Sequence, residues 1–114
     1  MHQETDELCG VEAIRRDWID GLLRNLRREI AVDELYVFGS RAKNEHLTWS
    51  DYDVCVVSSH FRSLPFWKRM ELVLGCWEGE RAVEPVCFTP EEFQRGDSTL
   101  IGEIRRQGIR IYPG

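Results

Sequence analysis

The sequence has no apolar run approaching the roughly 18 residues a membrane-crossing helix needs. Its first ten residues, Met1 to Gly10, are polar and acidic and lack the apolar heart of a secretion signal, so a cytoplasmic protein is expected. Cysteine is sparse: Cys9, Cys55, Cys76 and Cys87 form no C-x-x-C pair and none sits beside a histidine at zinc-ligand spacing, which removes structural zinc sites. Cys55 and Cys87 stand in apolar runs and read as small packing residues. The histidines, His2, His46 and His60, are scattered and read as surface or loop residues. There is no internal repeat, no low-complexity tract and no Pro/Gly/Ser linker, so the 114 residues are expected to form one domain, 1–114, with residues 1–5 frayed. A basic excess is also missing. The 15 Lys and Arg are outnumbered by 20 Asp and Glu, for a net charge of −5. Proteins that grip a long phosphate backbone carry a basic face, so free nucleic acid is not the expected partner. A small anionic substrate stays open, because metal ions can neutralise it locally.

What is present is an ordinary soluble composition, 42% hydrophobic and 31% charged, enough for one modest core. Leu8, Val11, Ile14, Trp18, Leu22, Leu26 and Ile30 recur at helical steps and predict a first helix from about Glu7 to Ile30. Its arginines, among them Arg15, Arg16, Arg24, Arg27 and Arg28, read as a solvated face. Leu35 to Phe38 is a short strand that stops at Gly39-Ser40, and Asp51 to Val57 is a second strand. Residues Pro65 to Gly79 read as a helix with Phe66, Met70, Val73, Leu74 and Trp77 on its core face. Trp49 and Trp67 stand in or beside polar segments and are candidate interface anchors. Ala82 to Phe88 is a strand in which Pro85 removes a ladder donor, which calls for an edge position or a bulge. Thr89-Pro90-Glu91-Glu92 starts a helix with a capping box, expected to run past Gly102 to Gln107, before a last strand from Ile109 to Tyr112. The expected fold class is α+β: a small mixed sheet with helices packed on it.

Asp51 and Asp53 lie two apart on one strand, so both carboxylates leave the same face. Tyr52, Val54 and Val56 leave the other, expected to be the buried one. At about 6 Å the two charges repel by roughly 3 kcal/mol at an effective dielectric of 20. A divalent cation between them converts that repulsion into attraction, and hard oxygen donors suit Mg²⁺. An Asp-x-Asp pair alone is also the pattern of a solvated strand end. Gly39-Ser40 adds to it: glycine permits a sharp turn and close approach of a ligand, and Ser40 offers a hydroxyl and an amide to a phosphate.

The stretch Gly39-Ser40-Arg41-Ala42-Lys43-Asn44 followed by Ser50-Asp51-Tyr52-Asp53-Val54 resembles the G-S-x-A-x-G…S-D-x-D signature of DNA polymerase beta-type nucleotidyltransferases, and among them the minimal nucleotidyltransferases. The similarity covers the chain from about Leu22 and includes the closing Gly108-Ile109-Arg110-Ile111-Tyr112. Asn44 stands where the family has glycine; Asn tolerates a left-handed backbone. The resemblance implies a polymerase-beta-like fold and an enzyme that transfers a nucleoside monophosphate, AMP from ATP, with two Mg²⁺ ions. It implies Asp51, Asp53 and Glu84 as catalytic metal ligands and Gly39, Ser40 and Arg41 as the phosphate-binding residues. The family more often has Asp at the Glu84 position, and Glu84 reads equally as an exposed strand residue. The implied acceptor is a hydroxyl on a HEPN-type partner protein, with this chain as the antitoxin of a toxin–antitoxin pair. A non-catalytic nucleotide- or partner-binding module, or a small-molecule nucleotidyltransferase, are the alternatives.

Overall fold

The computed structural model describes residues 14–39, 51–96 and 98–114. The chain begins there with helix α1 (Arg16–Glu29) and strand β1 (Glu34–Phe38), then strand β2 (Tyr52–Val57) and a 3₁₀ turn (Ser59–Ser63). Helix α2 (Phe66–Cys76), strand β3 (Val83–Phe88), helices α3 (Pro90–Arg95) and α4 (Thr99–Gln107) and strand β4 (Ile109–Tyr112) complete it. The sheet order is β3-β2-β1-β4. β1 is antiparallel to both β2 and β4, while β2 and β3 run parallel, so the sheet is mixed as expected.

The periodicity of α1 translates directly into burial. Ile19, Leu22 and Leu26 are fully buried against the sheet and Ile30 nearly so. Each contributes about 1.5–3 kcal/mol relative to exposure. The helix stops where Ile30 turns extended and returns its N–H to the Leu26 carbonyl at 2.8 Å. A polar knot follows. Ser58 is buried and donates to the Ala31 carbonyl, and Asp33 accepts from the Ser59 N–H at 2.8 Å, tying the end of α1 to the end of β2.

Two hydrophobic clusters sandwich the sheet. Tyr52, Val54 and Val56 face α1 and α2 together with Leu35 and Val37; Cys55 and Val57 face α3 and α4 together with Phe38, Phe93, Ile101 and Ile104. The expectation that only the Tyr52 face of β2 is buried is therefore corrected. β2 is an interior strand covered by helices on both faces, which is why its sequence is a nearly unbroken apolar run after Asp53. Cys55, Cys76 and Cys87 are free and buried, as packing residues.

Other boundaries moved for local reasons. The single helix expected from Pro90 to Gln107 is two. Gly96 adopts a left-handed backbone (φ +63°) that ends α3, and Ser98 caps α4 by accepting from the Ile101 N–H at 3.1 Å. The capping box of Thr89 and Glu92 is present. Helix α2 ends at Cys76 rather than Gly79, and its core face is Val73 and Cys76, with Met70 and Trp77 partly covered. Phe66 and Leu74, expected in the core, are 54% and 47% exposed. β3 is an edge strand, the position its proline requires. The first helix begins at Arg16, not within a run from Glu7: Ile14 and Arg15 are not helical and Arg15 is extended as the N-cap, while the expected beginning at Glu7 lies outside the described residues, as do Cys9, His2, His46 and Trp49.

Candidate active site

The strand registers bring three backbone positions into one row. Phe38 of β1 pairs with Asp53 of β2, and Asp53 pairs with Glu84 of the parallel β3. Because side chains alternate, Asp53 and Glu84 leave the sheet on the same face, beside each other, near enough for the Glu84 carboxyl to act on that of Asp53. Gly39 follows Phe38 at the end of β1 with a left-handed backbone (φ +75°). A Cβ added there would collide with the Asp53 carboxylate, coming within 3.2 Å of its Cγ and closer still to an oxygen. Glycine is needed twice over at this turn, for its φ and for the room it leaves the carboxylate.

Asp53 is half-buried, and its carboxyl is pushed up to about 6. Desolvation is the largest cause, followed by the charge of Glu84, the hydrogen bond with Glu84, and the charges of Asp51 and Glu103. Asp51 is exposed immediately before β2 and Glu84 is exposed on β3. The arrangement is a gradient: a partly dry carboxyl at the base and wetter carboxyls around it. It supplies hard oxygen donors whose mutual repulsion a divalent cation relieves, a donor set that fits Mg²⁺. Among the described residues, no three Asp, Glu, His or Cys side chains are already gathered to the spacing of a formed metal site. The Asp53–Glu84 pair is the contact the structure brings together, with Asp51 at its margin. Ser40 and Arg41 lie outside the described residues.

Glu103 on α4 is a carboxylate that the sequence reading missed. It lies between Ile101 and Ile104, which anchor α4 to the Asp53 face of the sheet, and this is how its charge comes to act on Asp53. On the opposite face the row is braced by aromatic packing. Tyr52 is fully buried, its ring 5.7 Å from Trp18 and 5.6 Å from Trp77, and its hydroxyl accepts from the Arg15 N–H at 2.9 Å. The residue between the two aspartates thereby fixes the start of β2.

Comparison with known proteins gives this geometry a context. The crystal structure of a proposed nucleotidyltransferase from Sulfolobus solfataricus is similar to this chain with a TM-score of 0.68 at 19% identity, over 98% of this chain and 91% of that one. A toxin–antitoxin structure with AMP-PNP is similar with a TM-score of 0.57 at 20% identity, over 83% of this chain and 73% of that one. At these identities the two establish the fold. No curated protein sequence matches the chain. The nucleotidyltransferase domain family matches residues 19–107, a span that runs from within α1 to the end of α4 and contains the whole Gly39–Asp53–Glu84 row, and the chain belongs to that family of nucleotidyltransferases.

Proposed function

We propose that the chain is a Mg²⁺-dependent enzyme that transfers AMP from ATP to a hydroxyl of a partner protein, as the antitoxin of a HEPN-type toxin. The observation that carries the catalytic part is the Asp53 carboxyl packed against Gly39 with Glu84 beside it. Asp51, Asp53 and Glu84 are the proposed ligands of two Mg²⁺ ions. Those residues would hold Mg²⁺, which would supply neutralisation of the triphosphate charge and polarisation of the reacting phosphorus. The chain's own part is to hold and orient. Gly39 leaves space for the Asp53 carboxylate, and Gly39, Ser40 and Arg41 are the proposed contacts to the terminal phosphates. Glu84, exposed and adjacent to Asp53, takes the proton of the acceptor hydroxyl. The acceptor oxygen then forms its bond to the α-phosphorus as the bond to the bridging oxygen breaks and pyrophosphate leaves.

The protein acceptor rests on family likeness and on the acidic balance of the chain, which disfavours a nucleic-acid acceptor. A toxin–antitoxin pair is supported by the likeness to a structure of that kind. No described helix is long and apolar enough to cross a membrane, which accords with the cytoplasmic location the reading requires. A non-catalytic partner-binding module is the second reading. It is favoured by one observation, that no three metal-ligating side chains stand gathered among the described residues.

The test is incubation of the purified chain with each radiolabelled nucleoside triphosphate, Mg²⁺ and a lysate of the source cells. A labelled protein band with ATP, lost on chelation and in Glu84→Gln, is the expected result. Absence of label with all four triphosphates, alongside tight capture of a partner, sinks the enzymatic reading in favour of the binding module.

A further inference from the structure

Helix α2 carries an apolar face wider than the core covers. Val73 and Cys76 face the core. Beside them Phe66, Trp67 and Leu74 stand exposed, and Met70, one turn from both Phe66 and Leu74, is partly covered by the core. Of the four exposed large apolar side chains among the described residues, three are on this one helix: Phe66 at 54%, Trp67 at 65% and Leu74 at 47%. An amphipathic surface helix has no need of apolar side chains beyond its core face; the i, i+4, i+8 stripe of Phe66, Met70 and Leu74 is the signature of a helix packed on another element.

We infer that this stripe is the interface of a homodimer in which α2 packs antiparallel against α2 of a second copy. Three observations select a second copy. The stripe is self-complementary about a two-fold axis: with Met70 on the axis, Phe66 of each copy meets Leu74 of the other. The neighbouring strand edge is closed to a partner strand, because Pro85 has no N–H and the Cys87 carbonyl is taken by Arg69 at 3.3 Å. The contact is therefore helix on helix, not an extended sheet. The area also fits. At these exposures Phe66, Trp67 and Leu74 leave roughly 350 Å² of apolar surface in water, within the range of a monomer's largest patch. Two copies together bury about 700 Å², and at the usual apolar share of 56–65% this implies an interface of about 1,200 Å², the lower bound for a stable dimer. Flanking Lys68 and Glu71, 4.0 Å apart on the same helix, leave the contact without net charge although each copy carries −5.

Sedimentation velocity of the full chain from 1 to 100 µM tests the inference independently of any nucleotide or partner protein. The expected result is a reversible dimer, twice the chain's 13.4 kDa, forming within that range. Trp67→Glu and Leu74→Glu are each expected to shift dissociation to at least tenfold higher concentration. Both side chains are exposed in the single chain, so circular dichroism and melting temperature at 1 µM should stay at the parent's values. A chain that sediments as a monomer at 100 µM overturns the inference, whatever other protein covers the stripe. So does a dimer that persists unchanged in both variants.

Discussion

Asp53→Asn should stabilise the metal-free protein at neutral pH while removing its function. The folded-state carboxyl titrates near 6 against a reference of 3.8, a rise of about two units, and each unit corresponds to 1.36 kcal/mol. The unscreened cost of holding Asp53 charged in the fold is thus about 3 kcal/mol. Because the side chain is only partly buried, solvent screening reduces this to about 1.5 kcal/mol. The asparagine amide keeps the shape, drops the charge and can donate to Glu84. For a chain of this size, 1.5 kcal/mol is a rise in Tm of roughly 6 °C. The pH dependence follows from the sign of the shift. A carboxyl raised in the folded state leaves stability intact below the unfolded pKa near 4, and that stability is lost as pH rises through 6. The advantage of the variant should therefore be absent at pH 3.5, grow between pH 4 and 6, and be level above pH 7. Adding Glu84→Gln should contribute less on this background than alone, because both changes relieve one repulsion. The assay is thermal denaturation in EDTA across this pH range, repeated with millimolar Mg²⁺, which should stabilise the parent and not the variant. A variant less stable than the parent at pH 7.5, or equally responsive to Mg²⁺, would refute the picture of a desolvated carboxyl beside Glu84.

Gly39→Ala is expected to cost about 1 kcal/mol from its positive φ alone and to abolish nucleotide transfer by displacing the Asp53 carboxylate; denaturant melts and the labelling assay read the two effects separately. Leu22→Ala, at a fully buried position between α1 and the sheet, should lose 2–5 kcal/mol in a urea titration, with no cavity partner to offset it. Thr89→Ala removes the cap from α3 and should cost about 1 kcal/mol, while an unchanged urea midpoint would show that the capping box is dispensable.

Much of the architecture was legible because it rests on local signals. The spacing of Trp18, Leu22, Leu26 and Ile30 specified α1, the Thr89–Glu92 box specified the start of α3, and Pro85 narrowed its strand to an edge position or a bulge, of which the sheet shows the edge. Gly96 and Ser98 carried the break between α3 and α4 in equally local form. Apolar residues recur at helical steps on both sides of that break, so periodicity alone does not reveal it. The outward side of α2 was not legible: Phe66 and Leu74 are as apolar as Val73, and which of them meets the core depends on where α1 and β3 lie.

The candidate site divides along the same line. The sequence by itself determined that Asp53 stands at the head of an apolar strand and that Gly39 ends the preceding one, since alternation and backbone freedom are properties of neighbours in the chain; Asp51, expected on the same strand, lies one residue before it. Only the tertiary structure decided that Glu84 stands beside Asp53, because that contact comes from the parallel register of two strands some thirty residues apart. It alone decided that the aspartate is partly dry and raised to about 6, and that Glu103 adds its charge from α4. Desolvation and charge coupling depend on distance through space, and distance through space is not written in the order of residues.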